Sequence, residues 1–169
     1  MTTHHKPLLL LDVDGVINDL EAVMKIRPFG SEAQERAAEL DVDLIRSHGF
    51  WLAIPRSMPD LIQELTSHFE TWWCSNWREQ ANDEIAEHLG VGPFPAIDDG
   101  EGAFGWKWKI TAARPLVEAA VAEDRCVAWI GDFSGDLPDL PGVTYIDTGD
   151  RRALHWADLG LEAPETVAA

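Results

Sequence analysis

After seven mixed residues the chain runs LLLLDV (8–13), a continuous apolar stretch that ends in acid and glycine. That is the pattern of a strand buried on both faces of a parallel sheet. Apolar runs of similar length recur as ETWWCS (70–75), FPAI (94–97), CVAWI (126–130) and VTYI (143–146). Between them the period becomes helical. From Pro59, PDLIQELTSHF puts Leu61, Ile62, Leu65 and Phe69 on one face, with the proline in the first turn. REQANDEIAEHL (78–89) reads as a helix closed by Gly90. ITAARPLVEAAVA (110–122) reads as a helix that accepts Pro115 only if its first turn is disrupted or begins later. DRRALHWADLGL reads as a terminal helix with Arg151 and Arg152 at its start, and EAPETVAA as a frayed end. Residues 16–57 are less regular: SEAQERAAEL (31–40) predicts a helix capped by Ser31, and HGFWLAIP (48–55) a short extended piece. Together they are too small for an independent domain and read as a flap or minimal insertion.

Strands alternating with helices predict a single α/β domain over 1–169 with a mostly parallel five-stranded sheet. In such sheets ligands bind at the carboxyl ends of the strands. Three polar clusters fall there: Asp12-Val13-Asp14-Gly15, Ser75-Asn76, and Gly131-Asp132 through Asp136.

Charge narrows the function classes. Thirty acidic residues against 13 basic ones give a formal net charge of −17, which works against a general nucleic-acid binder. Any phosphate site must then carry its own positive charge. No apolar run approaches the roughly 18 residues that span a membrane, and MTTHHKP has no apolar stretch behind it to act as a leader. Cys74 and Cys126 lie in or beside apolar runs and read as buried free thiols, as in a reducing cytoplasm. His48, His68, His88 and His155 show no metal-ligand spacing.

The candidate chemistry begins at Asp12 and Asp14, an i, i+2 pair released from the strand by Gly15. Two carboxylates in a small volume repel, so that one is pushed toward its protonated form or both take a cation. This divides the labour: Asp12 as ionised nucleophile and metal ligand, Asp14 as proton carrier. A calcium loop of the EF-hand type needs Glu at its twelfth position, where this chain has Val23. Ser75, with its neighbouring amides, is a candidate to hold a phosphoryl oxygen, as is Asn76; a helix cap or turn is the simpler use of either. Lys107 and Lys109 in GWKWKIT are candidates to neutralise a phosphate, with Lys109 preferred because it immediately precedes Ile110-Thr111. Asp132 is placed to ligate Mg²⁺, and Asp136 to ligate it or orient its waters.

In this order the motifs resemble those of the haloacid-dehalogenase-like (HAD) superfamily of aspartate-nucleophile phosphohydrolases. LLLLDVDGVIND resembles its first motif, WWCSN its second, a lysine before a helix its third, and GDFSGD its fourth. The resemblance spans roughly residues 8–136. It implies a three-layer Rossmann-like core and a Mg²⁺-dependent phosphomonoester hydrolase. Asp12 would form an aspartyl-phosphate, and Asp14 would protonate the leaving group and then activate water. Mg²⁺ would rest on the Asp12 carboxylate, the Asp14 carbonyl and Asp132. Ser75 would bind the phosphoryl group, with Gly15 and Trp77 beside the substrate. Asp14 places the chain with the phosphatase branch, whose dehalogenating relatives lack that aspartate.

Only about 60 residues separate the first two motifs, and about 30 separate Ser75 from Lys107. Neither gap holds a full cap domain, so the expected site is open, admitting a nucleotide or another bulky substrate unless oligomerisation covers it. Trp77, Trp106 and Trp108 lie beside the candidate residues and offer stacking walls, and Trp51 a contact from the flap to the site or to another subunit. The rival readings are a phosphotransferase or mutase using the same aspartyl-phosphate, and a non-enzymatic Mg²⁺-binding regulatory module.

Overall fold

A computed structural model describes residues 5–149 and 151–161; the expected frayed end, 162–169, lies outside the described residues. Strand β1 (Leu8–Leu11) is the hub of a parallel sheet. It pairs on one side with β4 (Glu70–Trp73) and on the other with β5 (Val127–Gly131), and β5 pairs with β6 (Val143–Asp147), giving the order β4-β1-β5-β6.

All four leucines of β1 are fully buried because both faces are covered. Leu9 and Leu11 face one core, with Leu61 and Ile62 of α3 (Met58–Ser67) and Ile85 and Leu89 of α4 (Glu84–Leu89). Leu8 and Leu10 face the other, with Ala113, Val117 and Ala120 of α5 (Lys107–Ala122). Helix, sheet and helix make three layers. Both neighbours of β1 follow it in the chain: it leads to β4 on one side, and the chain then crosses back to β5 on the other, so the carboxyl end of β1 is a topological switch point.

A small cap region stands beside this core. It comprises α1 (Leu20–Ile26), α2 (Ala33–Glu39) and an antiparallel hairpin of β2 (Val42–Ser47) with β3 (Phe50–Pro55). Ala22, Val23, Ile26, Ala37, Val42 and Ala53 give it a small apolar cluster of its own, too little to stand without the core.

Several sequence expectations need correction. FPAI does not form a fifth strand. Only Ala96 bridges to Trp73, through Trp73 N–H to Pro95 O and Ile97 N–H to Trp73 O, because Pro93 and Pro95 remove donors from the segment. The first strand stops at Leu11, short of Val13. Residues 42–47, not expected as a strand, form β2. The helix at 31–40 is shorter, with Glu32 and not Ser31 at its N-cap position. The helix at 78–89 is a 3₁₀ turn (Arg78–Asn82) followed by α4, which Gly90 closes in the left-handed region. Helix α5 starts at Lys107 and runs through Pro115, whose position is exposed, so that water can reach the carbonyl it leaves unpaired. The terminal helix is only a 3₁₀ turn, Trp156–Leu159, where Arg152 pairs with Asp158. Cys74 is buried, with burial raising its thiol pKa, but Cys126 is exposed. Among the described residues no helix is long and apolar enough to cross a membrane.

Candidate active site

The carboxyl end of β1 delivers Asp12 one residue past the strand. Its side chain is nearly buried at 9% exposure, and its two oxygens are held differently. Oδ1 accepts from Val13 N–H at 2.8 Å, and Oδ2 accepts from Lys109 Nζ at 2.5 Å. Lys109 lies in the first turn of α5 and is 5% exposed, whereas Lys107, one face away, is exposed and makes no such contact. A buried ammonium against a buried carboxylate is a desolvated ion pair in which each charge compensates the other.

Because β1 has ended, the i, i+2 rule no longer aligns Asp12 and Asp14. Asp14 turns away from the lysine: Oδ1 accepts from Asn18 Nδ2 at 2.8 Å and Oδ2 from Trp77 Nε1 at 3.0 Å. Burial is the largest influence on Asp14 and raises its pKa; the charge of Asp12 adds to this, and the bonds from Asn18 and Trp77 do not offset it. A carboxyl whose pKa is raised by burial, close to a second carboxyl paired with a lysine, is an arrangement that separates two acids by their surroundings.

Gly15 is needed twice over. Its φ is +74°, and a Cβ there would come within 2.7 Å of Asp132 Cβ and 2.8 Å of Asp132 Oδ2. The missing side chain lets Asp132, just past β5, close on the loop after β1. Asp12, Asp14, Asn76, Lys109 and Asp132 line one cleft of about 180 Å³, with Trp106, Trp129 and Phe133 among its walls. Ser75 is fully buried at the foot of this cleft and does not line it; its Oγ accepts from Trp77 N–H at 3.4 Å. Asp136 is exposed and also lies off the cleft.

Several residues that sequence reasoning passed over hold this geometry. Asn18, nearly fully buried, donates to Asp14 and accepts from Ala53 N–H of β3 at 3.0 Å, joining the cap hairpin to Asp14. Thr148 Oγ1 donates to Gly15 O at 2.5 Å. Asp147 accepts from Phe133 N–H and Gly135 N–H, fixing the loop that carries Asp132. Arg78 pairs with Asp98 and Asp99 at 2.9 Å, donates to Ala103 O, and lies 4.3 Å over the Trp108 ring, whose Nε1 donates to Asn76 Oδ1. For Asp99, burial pushes the carboxyl pKa up, but Arg78 and three backbone N–H groups outweigh it and hold it low. A DxDGxxN spacing was visible in the sequence; the partners of Asp147, Thr148 and Arg78 are too distant in sequence to leave a local signal.

The donors on the cleft suit a small hard cation. Asp12 and Asp132 both bring carboxylates to the cleft. The four expected acids do not converge through side chains, however. Among the described residues the one trio of ligand atoms lying within 4.8 Å of one another is His48, Asp83 and Glu84, an exposed group that fits a metal ion. His48, at the hairpin turn, meets Asp83 at 2.7 Å, a contact that sequence spacing did not reveal.

No family model matches the chain, and no curated protein does. Among solved structures it is similar to the crystal structure of a phosphoserine phosphatase in apo form: 21% identity, covering 75% of this chain and 78% of that one, with a TM-score of 0.37. At that TM-score the likeness carries no weight for function.

Proposed function

We propose that this chain is a Mg²⁺-dependent phosphomonoester hydrolase that works through an aspartyl-phosphate on Asp12. The observation that carries this reading is the buried Asp12–Lys109 pair at the carboxyl end of the central strand, with Asp14, its carboxyl pKa raised by burial, two residues on. Asp12 Oδ attacks phosphorus, and the bond from phosphorus to the ester oxygen breaks. Asp14 gives its proton to that oxygen, and the alcohol leaves. A water then attacks the aspartyl-phosphate, its proton passes to Asp14, and inorganic phosphate leaves Asp12 as it began. Lys109 holds Asp12 in place and offers its charge to the transferring oxygens.

Asn18 and Trp77 fix the direction of the Asp14 carboxyl. Asn76 reaches the phosphoryl group from the cleft wall, while Ser75 supports the Trp77 amide from beneath. Asp12, the Asp14 main chain and Asp132 would hold Mg²⁺, which when bound neutralises phosphate charge. Asp136 would act on its waters.

The test is phosphate release from a panel of monoesters in Mg²⁺ or in EDTA, with Asp12→Asn in parallel. Release that requires metal and disappears in Asp12→Asn is expected. Full release by Asp12→Asn would remove the nucleophile from this account.

A further inference from the structure

A second cavity, of about 440 Å³, adjoins the acid cleft and shares Asp14 and Asn76 with it. Its volume is within the range of small-molecule sites. It lies where the cap hairpin meets the core: Phe50 packs edge-on against Trp77 with ring centroids 5.9 Å apart, and Trp51 stacks on Phe29 at 5.3 Å. Phe104 lines it from the loop that Arg78 pins.

Phe50 is 66% exposed and Phe104 85%, the two aromatic side chains among the described residues left largely in water, and both stand on this one cavity. Exposed apolar groups gathered at a concave site mark a binding surface. Of the polar walls, Asn18, Asn76 and Trp77 are already hydrogen-bonded, and Arg27 lies 6.0 Å over the Phe29 ring. Gln80 makes no side-chain hydrogen bond and Arg27 no ion pair among the described residues, although acids outnumber bases 30 to 13 in the chain. Apart from Asp14 at the border with the cleft, Arg27 is the charged residue of the lining.

Aromatic faces take a planar ring, and an amide with a guanidinium reads the hydrogen-bonding edge of a heteroaromatic one. A simple sugar offers no π-face, a plain aryl group has no such edge, and a polynucleotide meets the repulsion of a net charge of −17. We propose that this cavity is the leaving-group subsite of the hydrolase and that it takes a nucleoside, so that the substrate is a free nucleoside monophosphate. The phosphoryl group lies at Asp12, the sugar passes Asp14, and the base lies against Phe50 and Phe104. Hydrolysis puts the hydroxyl of water on phosphorus and its proton on the nucleoside oxygen. This subsite rests on the hydrolase reading above.

The test compares adenosine 5′-monophosphate with ribose 5-phosphate as substrates of the wild-type, Phe50→Ala and Phe104→Ala proteins in Mg²⁺. The wild type is expected to favour the nucleotide by roughly tenfold or more in kcat/KM. Phe104→Ala should lose roughly tenfold on the nucleotide, through KM, and leave ribose 5-phosphate unchanged; Phe50→Ala, which also unpacks the Trp77 that holds Asp14, should lose more on the nucleotide than on ribose 5-phosphate. A wild type without preference, or equal losses on both esters, would overturn the subsite.

Binding of adenosine itself, followed by quenching of tryptophan fluorescence, separates the two readings because it needs no chemistry. If no ester gives Asp12-dependent release, the hydrolase reading fails alone where adenosine still quenches the wild type and not Phe50→Ala. Absence of quenching in the wild type overturns the nucleoside subsite.

Discussion

Replacing Lys109 by methionine tests the centre of the site without assuming any activity. The lysine and Asp12 side chains are 6% and 12% exposed and meet at 2.5 Å. Methionine keeps the length of the side chain and removes its charge, leaving the Asp12 carboxyl without its partner in a nearly closed space. Breaking a buried pair from one side costs about 3–5 kcal/mol, since the remaining charge has lost its compensation. Val13 N–H still serves Oδ1, and the cleft lets some water reach Oδ2, so the lower end applies, about 3 kcal/mol. For a chain of this length that lowers Tm by roughly 6–12 °C. Urea unfolding in EDTA measures it free of any cation that could replace the lysine. Lys107→Met is the control: its exposed side chain should cost no more than about 0.5 kcal/mol. In an Asp12→Asn background the penalty of Lys109→Met should shrink by about 2 kcal/mol, the coupling expected of residues in contact. A loss under about 1 kcal/mol, or one unchanged by Asp12→Asn, would refute the claim that a desolvated ion pair organises this site.

Asn18→Leu removes the bond to Asp14 and strands the Ala53 N–H in a buried place, for a loss of about 2–4 kcal/mol. Hydrogen exchange should show the Ala53 amide losing protection, and an unchanged rate there would contradict the coupling of hairpin to site. Gly15→Ala forces a Cβ into the left-handed region and against Asp132, for about 1–2 kcal/mol of backbone strain plus the displacement of that carboxylate; urea unfolding checks the first and a crystal structure of the variant the second. Asp99 and Asp158 have pKa values held below the ordinary 3.8. Their stabilisation is complete above that value and is lost as pH falls through the depressed ones. Arg78→Leu should therefore remove the Asp99 share and flatten the acid limb of the stability curve below about pH 4, and a limb as steep as that of the wild type would contradict the pairing.

How far the sequence could be read follows from the range of the interactions involved. The buried strands announced themselves because β1 and β5 are covered on both faces, and α3 because one face is apolar at the helical period. The cap was read poorly. Its strand β2 reads VDLIRS, half-buried and charged, and finds its place only by pairing with β3. Prolines reduced FPAI to one bridge, and Pro115 was read as a disruption although its exposed position lets the helix continue. Both are cases in which tertiary surroundings outweigh local preference.

The candidate site divides in the same way. Asp12, Asp14, Gly15 and Asp132 stand at strand ends that hydropathy alone locates, so their types and order were legible in the chain. Which lysine meets Asp12 was not, because Lys107 and Lys109 differ only in the face of α5 they occupy, and that face is set by packing of Ala113 and Val117 on the sheet. Nor could the sequence reveal that Asp14 turns to Asn18 and Trp77, that Thr148 and Asp147 brace the loops, or that Phe50 and Phe104 meet over one cavity. The sequence by itself determined the four strands of the parallel sheet, the acids at their ends and the excess of negative charge, since these are written in local pattern and composition. Only the tertiary structure decided the partners of each charge, because partners up to 133 residues apart come together only when the sheet closes.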